Sequence, residues 1–188
     1  MDNQQRLLDC ALELFCQRGY DAVGVQEIVD TAGVTKPTLY HYFNSKRGLL
    51  DALLIREAGH LLHTISQSAD YQGDLVRTLE EVTHAYFEIA ENSEKFYRMQ
   101  LAFNFAPMES AANQAVRAFA REQHDILESV FVKAAQDHGN LRGREKRYAV
   151  GFLGAVNAVI GLYLNGKLEL NGDIVYQTVH QFMYGIFS

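Results

Sequence analysis

Apolar side chains recur along most of this chain at the three- and four-residue spacing of an amphipathic α-helix, and no strand-like alternation stands out. Proline, which interrupts helices, occurs at only 2 of 188 positions. The pattern therefore predicts an all-α protein. We expect nine helices, at about residues 3–18, 25–32, 36–43, 46–66, 74–90, 93–105, 110–138, 142–164 and 173–187.

Two of these helices, 25–32 and 36–43, are short and lie close together in the chain. Gly33 is expected to end the first, because glycine adopts the left-handed conformation at a helix C-terminus at little cost. Thr35 is a favourable N-cap for the second, with a hydroxyl able to accept a backbone N–H, and Pro37 fits its first turn. The sequence therefore predicts a tight turn between two helices.

The second short helix has an unusual distribution of side chains. Leu39 and Phe43 are four residues apart, so they share one face and are expected to point inward. Polar and aromatic groups remain towards solvent and on the flanks, at Lys36, Pro37, Thr38, Tyr40, His41 and Tyr42. A helix that enters a DNA major groove presents such a set. The alternative is a small helical subdomain with an unusually aromatic surface.

The stretch from Val25 to Lys46 resembles the helix-turn-helix of TetR-family transcriptional regulators. The matching residues are Ile28, Ala32-Gly33-Val34, Thr38-Leu39-Tyr40, Tyr42-Phe43 and Lys46, with the pair Gly19-Tyr20 before them. The chain departs from the family at Gly24, where the family commonly places Thr or Ser, so one side chain that could contact phosphate is missing. The resemblance implies a DNA-binding domain at residues 1–46 and an all-helical ligand-binding and dimerisation domain at residues 47–188.

Roles for individual residues are implied by the matching family positions. Contacts to base edges are implied for Lys36, Pro37 and His41. Contacts to phosphates are implied for Thr38, Tyr40, Tyr42 and Lys46. The resemblance also implies a bacterial, cytoplasmic repressor that binds near-palindromic double-stranded operator DNA as a homodimer and responds to a small-molecule effector. Replacing Tyr40 or Lys46 with Ala should then weaken DNA binding with little effect on folding.

The charge of the whole chain is acidic, with a formal net charge of −6, which argues against a protein that coats nucleic acid without specificity. Residues 32–47 nevertheless contain no acid, and their cations are Lys36, Lys46 and Arg47. The last two fall in the first turn of helix 46–66, where a docked phosphate would be favoured by the helix N-terminus. The alternative for them is two solvated charges.

Residues 84–131 combine aromatic, methionine and embedded polar side chains, as a mostly apolar small-molecule pocket requires. The predicted pocket residues are His84, Phe87, Met99, Phe103, Asn104, Phe119, His124, Leu127 and, from a later helix, Asn157. Each of them is also compatible with an ordinary core position, and the polar ones are compatible with an exposed position. The predicted effector is accordingly small and mostly apolar.

The last two helices carry the predicted dimer interface. Small residues recur at helical spacing on helix 142–164 and let another helix approach closely, at Gly151, Gly154, Ala158 and Gly161. Apolar residues give helix 173–187 a broad face, at Val175, Val179, Phe182, Met183 and Ile186. The two helices would form half of a four-helix bundle across a two-fold axis, as the resemblance also implies. The alternative is burial within one subunit.

Metal sites and disulfides find little support in the sequence. Glu57, His60 and His63 recur at three-residue steps, but three such steps drift around a helix, so we predict no metal site. Cys10 and Cys16 are six residues apart and point in different directions on a helix, which favours buried or idle thiols over a disulfide. We predict no cofactor.

Catalysis and membrane insertion are equally unsupported. The sequence contains no glycine-rich phosphate loop and no nucleophile motif, so we do not expect an enzyme. The alternative is a helical enzyme or small-molecule carrier that has kept a vestigial DNA-binding head. The apolar run at residues 149–164 is shorter than the ~20 residues that a membrane span needs, so we expect no membrane partner.

Overall fold

The computed structural model describes residues 2–185 and confirms the all-α fold. In this range the chain forms nine α-helices and one 3-10 turn, without a strand. The helices are α1 (Asn3–Arg18), α2 (Val25–Ala32), α3 (Lys36–Phe43), α4 (Lys46–Ser68), α5 (Leu75–Asn92), α6 (Glu94–Asn104), α7 (Ala111–Asp137), α8 (Glu145–Leu164) and α9 (Gly172–Tyr184). The first three helices begin and end where the sequence predicted, and the later ones differ by up to three residues.

One difference of three residues lies before α8, which begins at Glu145 rather than near residue 142. Gly139–Leu141 form the 3-10 turn, and Gly143 follows with a positive φ of 76°. A left-handed residue interrupts a right-handed helix, so α8 starts only after Gly143. The Glu145 carboxylate then accepts the N–H of Gly143 at 3.0 Å, which satisfies a backbone donor just before the helix.

The described chain divides into two compact units. The first contains residues 2–60 and 95–120, and the second contains residues 61–94 and 121–185. The divisions fall inside α4 and α7, so each of these helices contributes residues to both units. The predicted functional boundary after residue 46 divides the chain in another way, and it stays a prediction.

The first unit is built on the predicted apolar stripes of α1 to α4. Each of these helices contributes a fully buried side chain, among them Leu7, Ile28, Leu39 and Leu53. Ion pairs then tie the surrounding helices to α1. Arg18 at the end of α1 pairs with Glu27 of α2, and Arg56 of α4 pairs with Asp9 of α1 at 2.7 Å. The buried core holds α2 and α3 against α1, and the ion pairs join α1 to α2 and α4.

The second unit has an aromatic core that involves α7, α8 and α9. The rings of Phe131, Phe152 and Phe182 contact one another, with centroids 5.4–6.5 Å apart. Side-chain caps define where two helices of this unit begin. Asp74 caps α5 and Asn171 caps α9, and each accepts a backbone N–H three residues later at 3.0 Å.

Candidate DNA-binding surface, effector site and dimer face

The turn between α2 and α3 has the predicted glycine at its centre. Gly33 is left-handed, with φ 64° and ψ 38°, and the N–H of Val34 donates to the oxygen of Val29 at 2.9 Å. Thr35 occupies the predicted N-cap position of α3. Its hydroxyl, however, bonds to the Thr38 hydroxyl at 2.9 Å, and it makes no capping bond to a backbone N–H. The predicted capping hydrogen bond is therefore wrong, because the two hydroxyls satisfy one another.

α3 exposes the surface that the sequence predicted. Leu39 and Phe43 are buried and hold this helix in the first unit. Of the predicted DNA-contacting residues, Lys36, Pro37, Tyr40 and His41 are exposed, and Thr38 and Tyr42 are half-buried. Tyr40 keeps 44% of its surface exposed, and the His41 and Tyr42 rings meet edge to face with centroids 5.2 Å apart. The outer side of α3 thus presents hydrogen-bond donors, which suit both phosphates and base edges.

The connection from α3 to α4 is two residues long. Asn44 is left-handed, with φ 61°, and it ends α3 by donating its N–H to the oxygen of Tyr40 at 2.9 Å. Ser45 precedes α4, and its hydroxyl accepts the N–H of Gly48 at 2.9 Å. Ser45 is therefore the N-cap of α4, and Asn44 is the C-cap of α3.

Gly48 is a residue that the sequence analysis did not single out. A Cβ atom built on Gly48 would overlap the backbone oxygen of Phe43. Only glycine therefore lets the first turn of α4 approach the end of α3 this closely. The signal in the sequence was a glycine inside the first turn of a predicted helix, where glycine is otherwise unfavourable.

Lys46 already has partners inside the first unit. Its Nζ donates to the backbone oxygen of Tyr20 at 2.6 Å and lies 4.0 Å from the centroid of the Tyr20 ring. Burial lowers the pKa of Lys46, while the nearby Asp21 acts in the opposite direction. The ammonium group thus holds α4 to the connection between α1 and α2. The sequence predicted only a phosphate contact for Lys46. The contacts with Tyr20 mean that loss of Lys46 should also destabilise the fold.

Arg47 is also engaged within the first unit. Its Nε donates to the Asp51 carboxylate at 2.8 Å, and one terminal nitrogen reaches the backbone oxygen of Ala111 at 3.5 Å. Lys36 is exposed at the start of α3, whereas Arg47 and Lys46 are half-buried. Among the three cations of the acid-free stretch, Lys36 is therefore the most accessible to DNA.

The predicted effector residues are distributed over the two units. In the first unit Met99, Phe103 and Phe119 are buried and Asn104 is half-buried. In the second unit Phe87 and Leu127 are buried, His124 and Asn157 are half-buried, and His84 is exposed. The apolar members thus belong to the cores, and none of the polar members is buried.

Other side chains place polar atoms in the cores. They include Gln100 in the first unit and, in the second, Tyr86 and Gln123, which form a hydrogen bond with each other. Neither Tyr86 nor Gln123 is among the predicted pocket residues. The spacing contained a signal, because Gln123 lies four residues from both Phe119 and Leu127 and so falls on the apolar face of α7.

His84 lies instead at a cleft of about 610 Å³ that is formed by α4, α5 and α9 within the second unit. Glu80, Glu88 and Tyr176 share its wall. His84 is the only predicted effector residue at this cleft, and none of the predicted apolar ones lines it, so the cleft does not match the predicted pocket.

α8 keeps an apolar face outside the core of the second unit. Its buried side includes Phe152, Val156 and Ile160. On the opposite side Gly151, Gly154 and Ala158 are exposed and Gly161 is half-buried. Val150 and Leu162 on that side expose 50% and 44% of their surface. The predicted small-residue stripe is thus accessible in a single chain, rather than buried within it.

α8 also has the length and composition of a membrane span, with 20 residues and a mean hydropathy of 1.4 over its most apolar window. The helix begins before residue 149, so the prediction that this region is too short to cross a membrane is wrong. Only 28% of that window is buried in the chain. Length and composition alone are weak grounds for a span, and an accessible apolar helix also suits contact with another helix.

The predicted residues of α9 divide into buried and accessible ones. Val175 and Val179 are buried within the second unit, so their side chains offer no surface to a partner, and this part of the predicted interface needs correction. Phe182 and Met183 are half-buried, and the Phe182 ring also belongs to the aromatic core. Ile186 lies outside the described residues.

The surface of α9 beside α8 combines polar and apolar side chains. Gln177 and Gln181 are exposed, and with Ile174 and Phe182 they line a groove opposite Ala155 and Ala158 of α8. Val175 and Val179 lie on the opposite, core-facing side.

No group of three or more His, Cys, Asp or Glu side chains that could hold a metal ion occurs among residues 2–185. Glu57, a member of the helical triplet considered above, pairs with Arg56 at 2.7 Å. Cys10 and Cys16 are free thiols, and burial raises the pKa of both. A raised pKa disfavours the thiolate, which is the reactive form.

The geometry of α1 to α3 defines a helix-turn-helix DNA-binding protein, in which two short helices are joined by a glycine turn and the second exposes donors and aromatic rings. Residues 7–53 match the family model described as bacterial regulatory proteins, tetR family. The matched segment extends from α1 into α4. Residues 7–53 therefore form the DNA-binding domain of a TetR-family transcriptional regulator.

The similarity to known proteins extends beyond the matched residues 7–53. The HTH-type transcriptional activator FasR of Mycolicibacterium smegmatis is 29% identical over 187 residues, covering 100% of this chain and 84% of FasR. The HTH-type transcriptional repressor KstR2 of Mycobacterium tuberculosis is 28% identical over 116 residues, covering 57% of this chain and 58% of KstR2. The relatives thus include an activator and a repressor.

Solved structures show that the TetR-like fold extends over the whole chain. The transcriptional regulator FadR from Bacillus subtilis, solved in complex with stearoyl-CoA, has a TM-score of 0.80 and 18% identity, with 97% of this chain and 98% of that chain covered. A TetR-like regulator from Rhodococcus has a TM-score of 0.77 and 19% identity, with coverage of 98% and 97%. At these identities the likeness shows the fold.

Proposed function

We propose that this protein is an effector-responsive repressor that binds near-palindromic operator DNA as a homodimer in the bacterial cytoplasm. The observation that carries the proposal is the outer surface of α3, where Lys36, Tyr40 and His41 are exposed on a helix held by the buried Leu39 and Phe43. A rigid helix with accessible donors meets the requirement for reading a major groove.

The proposed contacts of the individual side chains are those that the matching family positions imply. Lys36, Pro37 and His41 would face base edges. Thr38, Tyr40 and Tyr42 would hold phosphates and fix the register of the helix on the duplex. Lys46 would act mainly through Tyr20, and it would reach a phosphate only by giving up that contact.

The homodimer is supported by the accessible apolar face of α8. Gly151, Gly154 and Ala158 leave room for a second helix, and the flanking Val150 and Leu162 supply apolar surface that a partner would bury. A two-fold copy of α8 and α9 would complete a four-helix bundle, with Gln177 and Gln181 at its edge. A two-fold protein in turn requires an operator with two-fold symmetry.

The effector is proposed to be a small molecule with an acyl chain. Its support is the set of buried apolar side chains at the predicted effector positions, together with the similar fold of a FadR that was solved with stearoyl-CoA. Effector binding would favour a spacing of the dimer's two DNA-binding domains that does not fit successive major grooves. We expect α4 to transmit the change, because it follows the head and continues into the second unit.

A second candidate is an activator that binds DNA more tightly with its effector. The similarity to the activator FasR along the whole chain favours it. The two candidates differ in the sign of the effect, because an effector lowers the operator affinity of a repressor of this kind and raises that of such an activator. One titration of operator binding with effector therefore distinguishes them.

The proposed function is tested by selecting binding sites from a random duplex DNA pool at low and moderate salt. We expect enrichment of an inverted repeat, because two α3 helices related by a two-fold axis read two half-sites. Failure to enrich any sequence with folded, dimeric protein would contradict DNA binding by the free protein. Repeating the selection with cell extract then tests whether an effector is required for binding.

The role of α3 is tested with Lys36→Ala and Tyr40→Ala on the selected site. Each should weaken binding by about tenfold or more through loss of a positioned contact, and Lys36→Ala should also reduce the salt dependence. Phe105→Ala is the matched control, because Phe105 is an exposed aromatic residue of the first unit outside α3. Unchanged affinity of both α3 variants would exclude this surface.

A further inference from the structure

The cleft of about 610 Å³ between α4, α5 and α9 has walls of different chemistry. Ala85 of α5 and Val175 of α9 line it and give it an apolar part, because their side chains are packed into the core of the second unit. The α4 wall is formed by Thr64, Gln67 and Ser68, whose hydroxyl and amide groups form hydrogen bonds. The cleft thus offers a ligand both apolar contacts and hydrogen-bonding groups.

The charged groups of the cleft include carboxylates that have no cation beside them. Glu80, Glu81 and Glu88 of α5 all line the cleft. Glu81 pairs with Arg77 at 2.9 Å, whereas Glu80 and Glu88 form no ion pair within residues 2–185. Glu80 is half-buried, so its charge is partly withdrawn from water. A cationic ligand would supply the partner that the chain does not.

The charge of the second unit also favours a cation at this cleft. Residues 61–94 and 121–185 contain 14 Asp and Glu and 8 Lys and Arg, which gives them a formal net charge of −6. This value equals the net charge of the whole chain. The electrostatic field of such a unit attracts cations and repels anions.

An aromatic ring completes the wall that α9 contributes. Tyr176 lines the cleft with 56% of its surface exposed, and the His180 ring one turn later packs on it with centroids 5.2 Å apart. The face of a tyrosine ring attracts an ammonium group and also packs against methylene groups. The cleft shares no lining residue with the groove between α8 and α9, so the proposed dimer contact does not use it.

The spacing of the two carboxylates indicates the shape of the cation. Glu80 and Glu88 are eight residues apart on one helix, which places them about 12 Å apart along its axis. A compact ammonium ion cannot contact both carboxylates at this distance, whereas a methylene chain with an ammonium group at each end can. The methylene groups would pack on Ala85, Val175 and Tyr176.

We propose that the cleft between α4, α5 and α9 binds a linear aliphatic polyamine of about the length of a triamine. Glu80 and Glu88 hold its outer ammonium groups, and Tyr176 packs against its chain. The site is separate from the proposed operator contacts and from the buried apolar positions proposed for the acyl effector. Since the ligand joins three helices of the folded second unit, binding should raise the Tm of the protein.

The test uses spermidine, a linear triamine, and putrescine, a shorter diamine, as probes of the full chain. Calorimetry at constant ionic strength measures their affinities, and thermal unfolding measures the shift in Tm. We expect spermidine to bind about tenfold more tightly than putrescine, because putrescine is too short to reach both carboxylates. Glu80→Gln and Glu88→Gln should each weaken spermidine binding by about fivefold, and Tyr176→Leu should weaken it by about threefold.

Glu91→Gln is the matched control, because Glu91 is an exposed glutamate of the same helix that does not line the cleft. It makes the same change in net charge and should leave spermidine affinity unchanged. An equal loss in Glu91→Gln and the two cleft variants would show that charge alone attracts the polyamine, and this result would overturn the inference. Unchanged affinity of both cleft variants, equal affinity for putrescine, or no binding of spermidine by the wild type would also overturn it.

Discussion

Lys46 shows how one residue joins recognition to stability. Its ammonium donates to the Tyr20 oxygen and lies over the Tyr20 ring, which fixes α4 to the connection between α1 and α2. Lys46, for which the family resemblance implies a DNA contact, thus positions α4 in the free protein.

We therefore predict that Lys46→Met, which keeps an unbranched stem but removes the donor, lowers the free energy of unfolding by about 1–2 kcal/mol. Urea denaturation of the free protein measures this effect. Lys36→Met is the control, because Lys36 is exposed and its replacement should leave the midpoint unchanged. Identical midpoints for the wild type and Lys46→Met would show that the contact with Tyr20 adds nothing to stability.

A second residue-scale prediction concerns pH. The hydrogen bond with Lys95 lowers the pKa of Glu13, and the same bond raises the pKa of Lys95. Because the pKa of Glu13 is lowered, its carboxylate stabilises the fold at pH values above the ordinary pKa of 4.5. This stabilisation is lost as the pH falls through the lowered pKa. Because the pKa of Lys95 is raised, its ammonium group stabilises the fold at pH values below the ordinary pKa of 10.5. This stabilisation is lost as the pH rises through the raised pKa. The pair therefore acts between about pH 5 and pH 10.

Glu13→Gln should accordingly lower the Tm at pH 7, and its difference from the wild type should shrink as the pH falls below the lowered pKa of Glu13. Thermal unfolding between pH 3 and pH 7 measures the difference. Glu122→Gln, at an exposed acid of α7, serves as the control with no such pH-dependent difference. A Glu13→Gln difference that stays constant over this range would contradict an ionic origin.

At the scale of elements, the position of α3 depends on its close approach to α4. Gly48→Ala should lower the free energy of unfolding by about 1–3 kcal/mol and weaken operator binding, because the new Cβ would overlap the Phe43 oxygen and displace α3. Gly59→Ala in the same helix is the matched control. Its Cβ would meet nothing within 4 Å, so we expect a gain of about 1 kcal/mol from helix propensity.

Denaturation and operator binding of these two glycine variants decide the point together. Equal stability of Gly48→Ala and Gly59→Ala would mean that α4 can shift away from Phe43 without cost. A destabilised Gly48→Ala that binds operator with unchanged affinity would separate the stability of this junction from DNA recognition.

At the scale of the whole molecule, the accessible side of α8 predicts association. Gly154 is exposed, and a Cβ atom added there would meet nothing within 4 Å in a single chain. Gly154→Phe should therefore leave the monomer folded, as judged by circular dichroism, while a second α8 could no longer approach. We expect sedimentation to show a dimer for the wild type and a monomer for Gly154→Phe.

Gly59→Phe is the matched control for that experiment, because Gly59 is also exposed on a helix and also has open space beside it. It should remain dimeric. A dimeric Gly154→Phe would move the interface to another surface. Loss of operator affinity in a monomeric, folded Gly154→Phe would link dimerisation to DNA binding, since a single half-site contributes fewer contacts.

Features of this protein that depend on neighbouring residues were predictable from the sequence, and those that depend on contacts between helices were not. The bounds of α1 to α3 and the left-handed Gly33 were predictable, because they depend on spacing, capping preferences and backbone freedom within a few residues. The outward set on α3 followed from the same periodicity once Leu39 and Phe43 were placed inward. The start of α8 was misplaced because the left-handed state of Gly143 is not visible in a hydrophobic pattern.

The sequence by itself determined the all-α class, the helix-turn-helix and the small-residue face of α8, since each is written in the period of neighbouring side chains. Only the tertiary structure decided that Lys46 bonds to Tyr20, that Gly48 must pass the Phe43 oxygen, and that Val175 and Val179 face the core. It also decided that Tyr86 and Gln123 are buried, whereas His84 lies at a cleft. These features depend on which helices meet and at what distance, and a periodic pattern along one helix does not specify its neighbours.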